Sequence, residues 1–337
     1  MHLAVEAVGT KRGGGWVILN EVLEALSTDP RFSRISVFGS LQSIYAEARF
    51  LHPKIEWKKR RVADHFYAAR IHWLSRGFND VLAAKNVDCV LQMNGVGFTD
   101  YPTISYIQQP LFFSKEARAT LAYSHQARIF ALEKIAQLSC EHSSRVFVQT
   151  HWMQAAMHQK WDLLPQLLHS PPPKIERMFS ADRERSVVWI GSELSYKRLH
   201  FFRALADHLD EDIRLTDLCS SNAALSREEI LSLLKRSTIL AITSLTESLG
   251  LPLIEAMAKG TMIVAPDFAY AKEICGDAAL YYQGHCLPSF LNAVQSALED
   301  PQLRREHIRA GTRRALELDT LSQNYLALRN ALVEVGQ

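Results

Sequence analysis

The chain has 337 residues, a formal net charge of +2, and 47% hydrophobic and 22% charged residues. This length predicts two domains, because single hydrophobic cores seldom grow beyond about 250–300 residues. The composition is typical of a globular protein. No apolar run reaches the roughly 18 residues that a membrane-spanning helix needs, so no such helix is expected.

The cysteines and the start of the chain predict where the protein resides. The five cysteines are scattered and odd in number, and their spacing suggests neither a zinc site nor a disulfide framework. The first residues enter a predicted strand at 2–8, without the basic and apolar regions of a signal peptide. We therefore expect a reducing, cytoplasmic location.

The first half of the chain alternates short apolar runs with helical patterns, which predicts parallel strands joined by helices. The predicted strands are 2–8, 35–39, 87–93, 103–107 and 145–149. The predicted helices are 16–26, 40–50, 64–84, one from residue 115 onward, and 150–159.

Three consecutive glycines, Gly13, Gly14 and Gly15, stand between the first strand and the first helix. Such a run lets the backbone approach a ligand closely. The spacing is not G-x-G-x-x-G, so the dinucleotide-binding fingerprint is not met. From these residues alone, a flexible turn and a loop at a binding site are equally good interpretations.

A basic cluster lies at 54–61, where five basic residues surround Trp57; they are Lys54, Lys58, Lys59, Arg60 and Arg61. Basic and aromatic side chains together suit an anionic membrane surface. A solvated charged face with the aromatic rings in the core is an equally good interpretation. Nucleic acid is not an expected partner, because the net charge is small and no RNA- or DNA-binding motif is present.

Polar side chains follow two later strands of this half. Gln108 and Gln109 come after the strand at 103–107, and His151 comes after the strand at 145–149. An amide can hydrogen-bond a ligand hydroxyl, but it cannot act as a titrating base. For His151, a partly buried structural histidine is at least as good an interpretation as a ligand-facing one.

Three prolines at 171–173 interrupt the pattern, and we place an interdomain linker at about 170–185. The expected domains are residues 1–170 and 171–337, and the last helix is a candidate to cross back to the first domain. In the second half the predicted strands are 186–190, 213–218, 239–243 and 262–265, and 266–273 is predicted to be a loop. The predicted helices are one that follows 196–198 and runs to about 209, and those at 226–236, 253–258, 288–298, 301–316 and 321–335.

The stretch at 239–265 predicts a strand, a polar loop, a helix and a second strand. Pro252 suits the first helical turn and Gly260 suits the C-terminal cap. In open parallel sheets ligands bind at the carboxyl ends of the strands, and the first turn of a helix attracts phosphate. Glu247 and Glu255 flank this turn. Alone, the pair is more often an acid near the helix dipole and an exposed helix residue.

The surrounding string makes a ligand-binding role the better interpretation of Glu247 and Glu255. This string, residues 247–258, reads E-S-L-G-L-P-L-I-E-A-M-A. It resembles the E-G-F-G-L-P-x-x-E-A-M-A signature of GT-B-fold retaining glycosyltransferases of glycosyltransferase family 4, the group 1 glycosyltransferases. Ser248 and Leu249 replace the usual Gly and Phe. The resemblance implies an α/β fold of the GT-B type, with two Rossmann-like domains facing across a cleft.

A second motif supports the resemblance. Gly191 and Lys197 match the family pattern G-R-x-x-x-x-K, with Ser192 in the place of the Arg. The family pattern implies that Lys197 stabilises the departing diphosphate and that Glu247 holds donor-sugar hydroxyls or steadies an oxocarbenium-like centre. It further implies that Glu255 binds the ribose of the nucleotide. The other donor-binding residues that it implies are Gly250, Leu251, Ser192, Arg198 and Ser248.

The same resemblance assigns the acceptor side of the cleft to the first domain. It implies that the glycine loop, Gly13, Gly14 and Gly15, faces the cleft together with Gln109 and His151. The family often carries a His where Gln108 and Gln109 stand.

The implied function is the transfer of a hexose from a GDP- or UDP-linked nucleotide-sugar to a glycan or lipid-linked acceptor, with retention of configuration. Neither a metal nor a cofactor is expected, since the nucleotide-sugar is a substrate. We expect a role in bacterial cell-surface polysaccharide synthesis, with peripheral contact at the inner face of the membrane through residues 54–61. The alternatives are a GT-B epimerase or phosphorylase, and a catalytically weak or silent subunit that binds nucleotide-sugar. The substitution at Ser192 favours the last.

Overall fold

The computed structural model describes residues 1–10, 13–39, 50–59, 73, 77–94, 97–176, 183–219 and 225–337. The chain forms two compact units. The first comprises Met1–Phe113, Ala127–Ser170 and Ser322–Gln337, and the second comprises Ser114–Gln126 and Pro171–Leu321. The end of the chain therefore groups with the first unit, and the short segment Ser114–Gln126 groups with the second.

Strands and helices alternate along most of the described chain. The strands are β1 His2–Ala7, β2 Arg34–Gly39, β3 Ile55–Lys59, β4 Cys89–Met93, β5 Thr103–Ile107, β6 Arg145–Val148, β7 Gln166–Leu167, β8 Glu184–Gly191, β9 Arg214–Cys219, β10 Ser237–Ala241, β11 Met262–Pro266 and β12 Ala279–Tyr282. The helices are α1 Gly14–Thr28, α2 Phe78–Ala83, α3 Lys115–Ala119, α4 Tyr123–Glu141, α5 His151–Trp161, α6 Leu199–Arg203, α7 Arg227–Arg236, α8 Leu251–Lys259, α9 Ala269–Cys275, α10 Leu287–Glu299, α11 Pro301–Ser322 and α12 Leu326–Gly336.

The first unit contains a parallel sheet in the order β3-β2-β1-β4-β5-β6-β7. The inner strand β1 pairs with β2 on one side and with β4 on the other, so that Val5 lies between Val37 and Leu91. These strands are apolar and buried along their length, as expected for a parallel sheet covered on both faces.

The second unit contains a smaller parallel sheet in the order β12-β11-β10-β8-β9. Its core combines residues of the inner strands, including Trp189 of β8, with aromatic side chains of the flanking helices, including Phe202 and Phe290. Helix α8 is buried over nearly its whole length, because it packs between the sheet and its neighbouring helices.

Three of the predicted elements differ from the structure. The predicted loop at 266–273 is wrong, because residues from Ala269 to Cys275 form helix α9, with Tyr270 and Ile274 buried. The helix predicted at 321–335 is interrupted at Gln323–Tyr325, between α11 and α12. The helix predicted after Tyr196–Arg198, to about Leu209, is an α-helix only over α6 and continues as the 3-10 turn Ala204–Asp207. Arg198 has a left-handed backbone (φ 50°), which ends the 3-10 turn Ser195–Lys197 before α6 begins. The predicted helix at 40–50 and most of the one at 64–84 lie outside the described residues.

Candidate functional site

Two neighbouring strand ends of the second sheet carry the predicted catalytic residues. Strand β8 leads into the turn Ser195–Lys197, and β10 leads into the loop 242–250, which contains Glu247. Between β9 and β10 the chain passes from one side of β8 to the other. The carboxyl ends of strands at such a switch point are where open α/β sheets bind ligands. The topology therefore brings these two distant segments together.

Lys197 and Glu247 form an ion pair at this point. The Lys197 Nζ donates to Glu247 Oε1, and the two side chains are only 14% and 17% exposed. Burial alone would lower the pKa of the ammonium, but the charge of Glu247 and the nearby Tyr196 hydroxyl outweigh burial and raise this pKa. Lys197 is therefore a fixed positive charge, balanced in the free protein by one carboxylate.

The start of helix α8 lies directly after this loop. Gly250 caps the helix with a left-handed backbone (φ 61°), and no side chain caps it. A Cβ on Gly250 would lie 2.9 Å from Leu253 Cδ1, so the position is suited to glycine alone. The first N–H groups of a helix have no partner within the helix and favour anions. The buried Leu251 begins the helix, and the half-buried Ser248 precedes it.

Glu255 lies further along α8 and is buried, with 5% of its surface exposed. Its Oε1 lies 3.5 Å from Nε of Arg227, the first residue of α7. A carboxylate oxygen can accept hydrogen bonds from the hydroxyl groups of a ligand. No sequence pattern predicted Arg227, because the pair joins two different helices.

The end of β8 requires a glycine for a packing reason. A Cβ on Gly191 would lie 2.6 Å from Cη2 of Trp189, so that any other residue would displace the indole ring. Ser192 follows and is half-buried. The backbone there can consequently lie close to whatever binds at this strand end.

Arg198 directs its guanidinium into the protein. It is 7% exposed, its Nε donates to the Thr243 carbonyl at 2.6 Å, and its Nη1 donates to the Gly284 carbonyl at 2.5 Å. The Phe201 ring lies 4.5 Å from the guanidinium carbon. Burial lowers the pKa of this guanidinium, although an arginine remains charged at neutral pH. These contacts bind the guanidinium within the protein. Arg198 is therefore not available to replace the Arg that the family pattern has at the position of Ser192.

Several residues that hold the loop 242–250 were not predicted. Tyr282 donates to the Ile242 carbonyl at 3.1 Å, Tyr270 donates to the Ser244 carbonyl at 2.7 Å, and the backbone N–H of Leu245 donates to Tyr196 O at 2.9 Å. No local pattern marks them, because each reaches the loop from another strand or helix. Together they fix the backbone that precedes Glu247.

The predicted acceptor residues lie at strand ends of the first unit. Gly13 caps α1 with φ 69°, and Gly14 and Gly15 form the first turn of that helix. The Gln109 side chain accepts from the N–H of Leu111 and so caps the turn Pro110–Phe112. Gln108 is buried, and its Oε1 lies 3.6 Å from where a Cβ of Gly15 would be. The glycine loop and the end of β5 are therefore neighbours.

His151 and the basic cluster are placed differently. His151 is the first residue of α5, is exposed, and has its ring 6.4 Å from that of His169. In the basic cluster, Lys54 Nζ donates to the Asp29 carbonyl at 2.9 Å, and Lys58 pairs with Glu56. Arg60 and Arg61 lie outside the described residues.

The described part of the chain contains neither a metal-ligand cluster nor a membrane-spanning helix. Within the described residues, no group of three or more His, Cys, Asp or Glu side chains could hold a metal ion. In the same part of the chain, no helix combines the length and the apolar character that crossing a membrane requires.

Comparisons with known proteins relate this fold, and the part of the chain that contains the strand-end loop, to glycosyltransferases. Residues 207–314 match the family model described as glycosyl transferases group 1. This range includes Glu247 and Glu255, whereas Lys197 precedes it. An MMP alpha-(1->4)-mannosyltransferase of Mycolicibacterium hassiacum is 30% identical over 120 residues, which are 33% of this chain and 28% of that enzyme. The match thus spans little more than a quarter of the relative.

Solved structures resemble the chain over nearly its full length. Sucrose-phosphate synthase from Thermosynechococcus elongatus has a TM-score of 0.75 at 13% identity, covering 98% of this chain and 100% of that one. WaaG, a glycosyltransferase involved in lipopolysaccharide biosynthesis, has a TM-score of 0.73 at 15% identity, covering 98% and 99%. The chain therefore has the GT-B fold, and residues 207–314 of its second unit resemble group 1 glycosyltransferases.

Proposed function

We propose that this protein is a retaining glycosyltransferase that transfers a hexose from a GDP- or UDP-linked donor to a hydroxyl of a glycan or lipid-linked acceptor. The Lys197–Glu247 ion pair is the observation that carries the proposal, because it lies at the switch point of the second sheet, beside the start of α8. A diphosphate and a sugar hydroxyl are the groups that a buried ammonium and a neighbouring carboxylate would bind.

The donor diphosphate would compete with Glu247 for the Lys197 ammonium. Once Lys197 binds phosphate oxygens, Glu247 becomes available to accept hydrogen bonds from the sugar. As the bond between the anomeric carbon and the diphosphate breaks, negative charge grows on the leaving group, where a preorganised cation stabilises it. The N–H groups of Gly250 and Leu251 add to this stabilisation from the helix start.

The remaining donor residues surround these two. Glu255 binds the ribose hydroxyls, and Ser192 and Ser248 contribute hydroxyl contacts to the donor. Arg198 acts on the site by holding the loop rather than by touching the donor, because its guanidinium is bonded to carbonyls. No metal is required in this proposal, because Lys197 and the helix N-terminus supply the positive charge that a diphosphate needs.

The acceptor is assigned to the first unit, with Gly13, Gly14, Gly15, Gln109 and His151 as its contacts. We propose a cytoplasmic enzyme of bacterial cell-surface polysaccharide synthesis that reaches a lipid-linked acceptor at the inner face of the membrane. The basic residues at 54–61 are the proposed membrane contact.

The test is a panel of UDP-, GDP- and ADP-linked glucose and mannose, with release of nucleoside diphosphate measured with and without glycan or lipid-linked acceptors. We expect one donor to be turned over and E247Q to abolish most of that turnover while the nucleoside diphosphate still binds. The anomeric configuration of the product, read by NMR, must equal that of the donor. Inversion would overturn the retaining assignment.

A second candidate, a silent subunit that binds nucleotide-sugar, has one specific observation in its favour. Ser192 replaces the Arg of the family pattern, and the Arg198 guanidinium is bonded to the Thr243 and Gly284 carbonyls. Among the residues that the structure describes, neither position therefore supplies that cation to the donor. The same panel separates the two functions. Stabilisation by a nucleoside diphosphate in a thermal-shift assay, together with no turnover of any donor, would favour the silent subunit.

A further inference from the structure

The relative position of Lys197 and Glu247 must be set by contacts between two separate segments. The turn that carries Lys197 follows β8, and the loop that carries Glu247 follows β10. Between them in the sequence lie α6, β9 and α7. One link is the hydrogen bond from the N–H of Leu245 to Tyr196 O.

Thr243 provides three more links from a single residue. It is fully buried, two positions after β10 ends. Its Oγ1 donates to the Lys197 carbonyl at 2.6 Å and accepts from Trp189 Nε1 at 2.8 Å. Its own carbonyl accepts from Arg198 Nε at 2.6 Å. Thr243 thus bonds to β8, to Lys197 and to the residue after Lys197.

The backbone that Thr243 holds is in an uncommon conformation. Arg198 has φ 50° and ψ 47°, a left-handed region that a bulky side chain seldom adopts. Such conformations persist only where surrounding contacts fix them, and they cluster at functional sites. The contacts here are those of Arg198 with Thr243, Gly284 and Phe201.

We propose that Thr243 is a positioning residue that fixes the main chain of Lys197, so that its ammonium meets Glu247 in the free protein and the diphosphate during transfer. This proposal rests on the proposed function and goes beyond it by assigning the residue that sets the geometry of the pair. The hydroxyl is the group that matters, since valine has the same shape and could fill the same space. Without it, the Lys197 carbonyl and the Trp189 N–H each lose a buried partner, and the strained turn can relax.

The test compares T243V, T243S and a matched control, T261V. Thr261 is also buried in the second unit, and its Oγ1 donates to the Leu234 carbonyl, away from the Lys197 turn. With a donor that the wild type turns over, we expect T243V to lower kcat by roughly 10- to 100-fold through misplacement of Lys197. Its affinity for the nucleoside diphosphate should change far less. T243S should retain wild-type kcat, and T261V should lose stability without losing kcat.

A second measurement does not depend on turnover. The side-chain ¹⁵N resonance of Lys197 should titrate at an elevated pKa in wild type and T261V, and return toward the ordinary lysine value in T243V. If T243V and T261V have equal kcat, or if T243S is as impaired as T243V, the positioning role is wrong. If the wild type turns over no donor, the proposed function is wrong. The titration of the Lys197 resonance then tests the positioning role of Thr243 by itself. An unchanged Lys197 titration in T243V would then overturn the inference.

Discussion

Among single residues, two lysines of the second unit show how surroundings decide what a side chain does. Lys197 pairs with Glu247 at the strand ends. Lys259, at the end of α8, pairs with Glu176 at 3.3 Å and donates to the Lys174 carbonyl at 2.9 Å. Both are largely buried and both have a carboxylate partner. Only Lys197 lies where a parallel sheet binds ligands, so only Lys197 is expected to affect turnover.

We predict that K197A lowers kcat by roughly 10²–10³-fold, because the ammonium acts on charge that grows toward the transition state. K259A is the matched control, since it removes an equally buried ion pair and should lower thermal stability while leaving kcat unchanged. Steady-state kinetics and thermal denaturation of both variants decide the matter. Equal turnover in the two variants would contradict the assignment of Lys197.

For Glu255 we expect E255Q to weaken nucleoside diphosphate binding by about 1.5–3 kcal/mol, because a charged acceptor for ribose hydroxyls is lost. Calorimetry measures the affinity. Since the change also leaves Arg227 without its charged partner, the comparison includes R227Q, which disturbs the same pair but keeps the carboxylate. Glu255 is not a ribose ligand if the nucleotide binds E255Q and the wild type equally well.

Among the secondary-structure elements, α8 has a start that depends on one backbone conformation. Gly250 has φ 61° and ψ 53°, and a Cβ there would lie 2.9 Å from Leu253 Cδ1. Gly276 also has a positive φ (52°), but its ψ of −124° lies outside the left-handed helical region, in a conformation that favours glycine still more strongly. A Cβ on Gly276 would meet nothing within 4 Å. G276A therefore tests backbone strain after α9, and G250A tests the start of α8.

G250A should lower the free energy of unfolding by at least about 1 kcal/mol, the cost of a left-handed alanine, because its Cβ would also meet Leu253. It should weaken nucleoside diphosphate binding as well, since the helix start shifts. G276A should lower the free energy of unfolding by about 1–3 kcal/mol through backbone strain, while nucleoside diphosphate binding stays unchanged. Urea denaturation and calorimetry measure the two effects. Equal weakening of nucleoside diphosphate binding in the two variants would contradict the role of the α8 start.

Helix α12 is attached to the first unit partly through Asp29, which is buried and contacts Arg31 and, at 3.5 Å, Arg329 of α12. The hydrogen bond from Arg31 is the main reason that the pKa of Asp29 falls from 3.8 to about 2. Because the pKa of Asp29 is depressed in the folded protein, its carboxylate adds to the free energy of unfolding at pH values above the ordinary carboxyl pKa. This contribution is lost as the pH falls from about 4 to 2. Urea denaturation across this range should show a steeper loss for wild type than for D29N. Parallel curves would contradict the assignment.

For the molecule as a whole, the basic cluster at 54–61 bears on whether the protein docks on a membrane. Lys54 is bonded to the Asp29 carbonyl and Lys58 is paired with Glu56, so both cations have partners within the protein. Arg60, Arg61 and the side chain of Lys59 lie outside the described part of the chain. We therefore expect Lys54 and Lys58 to contribute less to docking than solvated cations would.

We predict that the protein sediments with vesicles containing phosphatidylglycerol and not with pure phosphatidylcholine, and that high salt releases it. Each basic residue near an anionic surface contributes about 1 kcal/mol, screened over a Debye length of about 8 Å. K59S/R60S/R61S should abolish sedimentation, whereas K54S/K58S, matched in kind, should largely retain it. Recovery in the supernatant with both vesicle types would favour a soluble acceptor.

The local order of the residues was enough to predict several parts of this protein. Apolar runs at 103–107 and 262–265 became strands within a residue of their predicted ends, because strands buried in a parallel sheet are continuous apolar runs. Pro252 and Gly260 marked the ends of α8 for equally local reasons. The string at 247–258 indicated the glycosyltransferase domain without any tertiary information, since its turn, helix start and carboxylates are consecutive.

Tertiary packing, by contrast, determines which side chains meet. Glu247 and Lys197 were predicted for one site, but their direct pairing follows from the adjacency of β8 and β10, which no local pattern encodes. The same holds for Thr243, Arg227 and the inward guanidinium of Arg198, since each makes its contacts across elements far apart in the chain. The helix α9 was missed because its apolar residues are buried by tertiary packing, which overrode a sequence that resembles a loop.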